Sequence, residues 1–79
     1  MNREEGELSP QEIMELEEWG RRVRREMADW DFIRRQPPKL REALICLIET
    51  GDLYLASRIA GMSIGKFNEL RIRAKIPVT

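Results

Sequence analysis

The stretch Leu55-Ala-Ser-Arg-Ile-Ala-Gly-Met-Ser-Ile-Gly-Lys-Phe-Asn-Glu-Leu-Arg71 decides the fold, because it reads as two short helices joined by a tight turn, a helix-turn-helix. Leu55, Ala56, Ile59 and Ala60 form one small apolar face at helical spacing, and Ile64, Phe67, Leu70 and Ala74 form a second. Between them stand Gly61 and Met62, then Ser63 placed to cap the second helix. A turn glycine suits this junction, because the chain must reverse within about three or four residues through a positive φ that a Cβ would oppose. Trihelical units of this pattern also serve as purely structural corners, so two readings stand side by side: a helix presented to a DNA groove, or a scaffold.

Upstream, Leu40, Ala43, Leu44, Ile45, Cys46, Leu47 and Ile48 make residues 38–49 apolar around most of a helix, which must therefore be surrounded. This is expected to be the central helix on which the helix-turn-helix packs. Gln36-Pro-Pro-Lys39 sets its start, Gly51 its C-terminal stop, and Asp52 is placed to cap the helix that Tyr54 begins. Cys46 sits in the apolar run, where a thiol behaves as a small hydrophobe rather than a nucleophile.

The first helix is announced by Ser9-Pro-Gln-Glu12, a capping box with proline at the first helical position. Beyond it Ile13, Leu16, Gly20, Val23, Met27 and Trp30 alternate spacings of three and four as a heptad-like seam, with Trp19 beside it as a second anchor-sized residue. These seven residues are the expected dimer or partner interface, the alternative being a helix folded back on its own domain. Gly20 would let another helix approach closely. Glu17 with Arg21, Glu18 with Arg22, Arg22 with Glu26 and Arg25 with Asp29 are spaced for ion pairs on the outer face. The expected organisation is a disordered N-terminus over residues 1–8, an amphipathic association helix over 9–35 and a helix-turn-helix unit over 38–79. The fold class is all-α, a small four-helix domain.

The 79 residues suit one domain with a modest core, so partners or dimerisation are expected to contribute to stability. No apolar run approaches membrane-spanning length, which points to a cytoplasmic chain. Without histidine, the usual base for a nucleophile and the commonest zinc ligand are both missing, which disfavours an enzyme, a metal site or a cofactor. The 14 basic and 14 acidic side chains cancel overall but not locally. Residues 1–35 hold seven Lys/Arg against ten Asp/Glu, whereas residues 51–79 hold five against two. An acidic front and a basic rear suit a protein whose rear meets phosphate, and so modest a surplus favours two copies acting together.

With Phe67 at the centre of the buried face, helical spacing turns Gly65, Lys66, Asn68, Glu69, Ile72 and Arg73 outward. Lys66 and Arg73 suit phosphate or guanine, Asn68 suits adenine, and Gly65 and Ser63 would let the helix N-terminus approach the DNA backbone. Arg71 lies nearer the buried side, within reach of phosphate along the flank, and Ile72 suits a thymine methyl or a second protomer. The expected DNA-contacting set is Ser63, Gly65, Lys66, Asn68, Glu69, Arg71, Ile72 and Arg73. The competing reading treats them as a solvated face.

Over about residues 40–78, the apolar helix, Thr50-Gly-Asp-Leu53, the Ala-Gly-Met-Ser turn, Phe67 and the closing Lys75-Ile-Pro-Val78 resemble small prokaryotic, often archaeal, helix-turn-helix antitoxins encoded beside PIN-domain ribonuclease toxins. The chain departs from that pattern at Tyr54, where the family typically has Ser, at Ser57, where it has Ala, and in its long charged N-terminal helix. The resemblance implies a sequence-specific DNA-binding regulator, an antitoxin that represses its own transcription, with double-stranded DNA and a PIN-domain toxin as partners. The acidic first helix would meet a basic ribonuclease cleft, and a homodimer would place two recognition helices about 34 Å apart, one turn of DNA. The alternative is a protein–protein adaptor whose trihelical unit is only scaffold.

Overall fold

The Ser9 hydroxyl accepts from the Glu12 amide at 3.1 Å while the Glu12 carboxylate accepts from the Ser9 amide at 2.8 Å, closing the capping box that the sequence predicts. It opens α1, Pro10–Met27, in a computed structural model that describes residues 7–78. The stretch expected to be disordered, residues 1–8, lies outside the described residues as far as residue 6. Leu8 is exposed and non-helical. Four more helices follow: α2 (Trp30–Arg34), α3 (Pro38–Thr50), α4 (Leu53–Ala60) and α5 (Ile64–Arg73). Among the described residues every regular element is a helix, and none is long and apolar enough to cross a membrane.

Five helices replace the expected four because the first does not run to residue 35. Ala28 is extended at φ −63° and ψ 143°, and the Asp29 carboxylate then caps a new helix by accepting from the Phe32 amide at 3.0 Å. A tertiary hydrogen bond holds the break, with the Asp29 amide donating to the Ala74 carbonyl beyond α5 at 2.8 Å. Asp29 is thus a cap and not the ion-pair partner of Arg25, which reaches Glu49 on α3 instead at 2.7 Å.

The junctions downstream follow local chemistry. Gly51 ends α3 at φ +71° and Gly61 ends α4 at φ +69°, conformations that glycine enters without a Cβ penalty. Asp52 accepts from the Leu55 amide and Ser63 from the Lys66 amide, so both expected caps are present. After α5 the same left-handed step is taken by Lys75 at φ +60°, with amides of Lys75 and Ile76 returning to the carbonyls of Ile72 and Arg71. The step buries Ile76, and the Ile76 carbonyl accepts from Arg71 Nη1 at 2.7 Å.

Central in the fold is α3, which packs against α1, α2 and α4, while α5 packs on α4. Ala43, Leu44, Leu47 and Ile48 of α3 meet Ile33, Ala56, Ala60, Phe67, Leu70, Ala74 and Ile76 in one buried core. Phe67, Leu70 and Ala74 hold the inner register expected of α5. Two members of the expected apolar faces lie outside this core, however, Leu55 and Ile64 being exposed, and Ile59 is only half-buried where it packs against the core. Nor is α3 fully enclosed, since Ile45 is exposed and Cys46 half-buried.

On α1 the buried residues are Gly20 and Arg24, four apart on one face. Arg24 Nε donates to the Ile48 carbonyl at 2.8 Å and Arg21 Nε to the Glu49 carbonyl at 3.1 Å, so two guanidinium groups cap the C-terminal end of α3. Burial, with the neighbouring Arg21, pushes the Arg24 pKa down, and Glu49 pulls it back up. The Glu49 carboxylate accepts two hydrogen bonds from Arg25, and these hold its pKa below the ordinary carboxylate value.

A lowered folded-state pKa means that Glu49 contributes stability above the ordinary carboxylate pKa and loses it as the pH falls through the folded value. The contribution is expected to be small because the pair is exposed to solvent. Urea midpoints for the wild type and Glu49→Gln should differ more at pH 7 than at pH 3. Equal separations at both values would rule out this ion pair as a source of acid sensitivity.

Candidate nucleic-acid interface

The outer face of α5 is defined by what its inner face cannot release. Phe67, Leu70 and Ala74 are sealed in the core, which fixes the rotation of the helix. Gly65, Lys66, Glu69, Ile72 and Arg73 are then exposed, and Ser63 is exposed at the N-terminal cap. Ile72 keeps 57% of its surface in water although it lies one turn from the core. A Cβ added at Gly65 would meet nothing within 4 Å, so packing inside the chain gives no reason for glycine there. The first turn of α5 is correspondingly open to a close approach from outside.

The charged and polar members are less equivalent than their spacing suggests. Lys66 projects on one flank with Arg73, two turns further on. The Arg73 guanidinium also lies over the Phe32 ring, 5.4 Å from its centroid, so α2 holds one candidate phosphate ligand in place. On the other flank Asn68 and Arg71 are half-buried and engaged with each other, Nε of Arg71 donating to the Asn68 Oδ1 at 2.7 Å. The second donation of Arg71, to Ile76, makes it a staple for the C-terminal tail. Asn68, expected on the outer face, is thus only partly exposed, with its side-chain carbonyl already occupied by Arg71.

Two contributors were not apparent from the sequence. Lys39, at the start of α3, brings its ammonium to 3.1 Å from the position a Cβ of Gly61 would take, adding a cation beside the turn that leads into α5. Phe32, in the short α2, supports Arg73 from below. Both come from elements distant in sequence. An Asp29 cap followed by Phe32 was the available signal for α2, but nothing local points either residue at α5.

The departures at Tyr54 and Ser57 have simple structural outcomes. Asp52 caps α4, and Tyr54 is exposed, its ring under the Arg58 guanidinium at 5.7 Å. Ser57 is buried with its hydroxyl donating to the Tyr54 carbonyl at 2.7 Å, so it leaves no polar group unsatisfied.

The expected association seam is divided by the break at Asp29. Trp30 belongs to α2, is half-buried against the core, and its indole N–H donates to the Arg25 carbonyl at 2.8 Å. Gly20 is buried within the chain, Val23 is half-buried, and Ile13, Leu16, Trp19 and Met27 are exposed. Among the described residues no group of three or more His, Cys, Asp or Glu side chains is arranged to hold a metal ion. Comparison of the chain with protein-family models, curated proteins and solved structures finds no match.

Proposed function

We propose that this chain is a sequence-specific DNA-binding regulator that uses α4, the turn at residues 61–63 and α5 as a helix-turn-helix. The observation that carries this reading is the two-sidedness of α5. Its inner face is locked into the core, while Gly65, Lys66, Glu69, Ile72 and Arg73 stay in water next to a capped, three-residue turn. Such a helix can enter a major groove without any part of the core moving. Lys66 and Arg73 contact phosphate on one flank, Ser63 and Gly65 bring the N-terminal turn to the backbone, and Asn68, Glu69 and Ile72 face base edges. Arg71 supports Asn68 from behind. The resemblance over residues 40–78 extends the proposal to an antitoxin that represses its own operon and binds a PIN-domain toxin.

A second reading, a protein–protein adaptor, is favoured by the exposed isoleucines Ile64 and Ile72, which would suit an apolar partner as well as a thymine methyl. Titration with duplex DNA at two salt concentrations separates the two. Lys66→Ala with Arg73→Ala should weaken binding strongly and lower the log–log salt slope by about 0.9 for each phosphate that is no longer neutralised, with the circular dichroism spectrum unchanged. Salt-independent binding by the wild type, or a double variant that binds equally well, would leave the adaptor reading in place.

A further inference from the structure

The face of α1 beside the one covered by α3 carries Ile13, Leu16, Trp19, Val23 and Met27 at steps of three and four. Within the protomer Ile13, Leu16, Trp19 and Met27 keep 43%, 54%, 55% and 58% of their surface in water. A groove of about 440 Å³ runs beside this strip, lined by Leu8, Ile13, Leu16 and Gly20 on its apolar side. A contiguous strip of this kind is more than scattered surface apolar residues require, and it marks an association surface.

Charge identifies the occupant. Residues 11–18 contain Glu12, Glu15, Glu17 and Glu18 and no Lys or Arg, whereas residues 21–27 contain Arg21, Arg22, Arg24 and Arg25 against the single acid Glu26, with Arg24 buried against α3. Glu49 joins the arginine half through Arg21 and Arg25, and that half remains net positive. A helix so divided is complementary to a reversed copy of itself. A parallel copy would set acid against acid and arginine against arginine, whereas an antiparallel copy sets each acidic half on an arginine half and opposes the two helix dipoles favourably.

We propose that two copies of this chain associate through α1 in antiparallel orientation, burying Leu16, Trp19, Val23 and Met27 about a two-fold axis near the middle of the helix. This assembly does not depend on the DNA reading, since it uses none of the residues on the outer face of α5. It differs from the continuous seam expected from sequence in leaving out Ile13, Gly20 and Trp30 and in fixing the direction of pairing.

The full chain should sediment as a dimer at tens of micromolar, and Leu16→Glu should weaken that dimer by tenfold or more while leaving the helical content intact, because Leu16 is exposed in the protomer. Direction is read from spin labels at Gln11→Cys in a Cys46→Ser background. Antiparallel pairing about the middle of α1 separates the two labels by roughly 22 Å along the axis at 1.5 Å per residue, whereas parallel pairing leaves them about one interhelical distance, roughly 10 Å, apart. A monomeric wild type, a dimer that ignores Leu16→Glu, or the short label distance would each overturn the proposal. DNA binding measured on the same samples tests the other reading separately.

Discussion

Replacing Phe67 with alanine is expected to lower the stability of the folded chain by about 3 to 5 kcal/mol, the usual cost of deleting a fully buried phenyl ring and leaving its cavity. The ring is completely enclosed, on the side of α5 that shares the core with Ala56, Ala60, Leu44 and Ile48. For a domain of this size each kcal/mol lowers the melting temperature by about 4 to 8 °C, so a fall on the order of 15 °C or more is expected. Ile59→Ala serves as the internal comparison. Its side chain is half-buried, and the loss should be clearly smaller than for Phe67. Thermal and urea unfolding followed by circular dichroism would show both. A Phe67→Ala protein melting within a few degrees of wild type would mean that α5 is rotated relative to the core, and with it the face assigned to DNA.

Removing Arg24 should have the next largest effect. Only 4% of Arg24 is exposed, its Nε donates to the Ile48 carbonyl, and its guanidinium lies where a Cβ on Gly51 would come to 2.9 Å. Arg24→Ala leaves that carbonyl without its charged donor at the end of α3 and withdraws the arginine stem from between α1 and α3, so the stability should fall by about 2 to 3 kcal/mol. Arg25→Ala, one residue along on the solvent side, removes an exposed ion pair and should cost far less. Urea midpoints for the two variants measured side by side provide the check. Equal losses would show that α1 is held to α3 by the Glu49 ion pairs rather than by the buried guanidinium.

The two substitutions also divide what could be read from the chain alone. The caps at Ser9, Asp52 and Ser63, the left-handed glycines at 51 and 61, and the inner register of Phe67, Leu70 and Ala74 were all legible in the sequence. Each depends on hydrogen bonds or side-chain directions spanning at most one or two helical turns. The outer face of α5 followed from the same register. The grouping within it did not, because the Arg71 staple to Ile76, the Phe32 platform under Arg73 and the ammonium of Lys39 near Gly61 depend on where separate elements come to rest.

Arg24 is the clearest case. In an Arg-Arg-Val-Arg-Arg run every arginine looks like a solvated side chain, and only the position of the last turn of α3 makes one of them a buried cap. The break at Asp29 is similar: a capping residue was present, but an uninterrupted helix satisfied the local pattern equally well until the Ala74 carbonyl offered the Asp29 amide a partner. Sequence by itself therefore determined the last three helices, the caps at Ser9, Asp52 and Ser63 and the side of α5 that faces inward, since local geometry is encoded by neighbours along the chain. Tertiary structure alone decided which charged groups are structural and where the first helix ends, because both outcomes depend on residues far apart in the chain coming together.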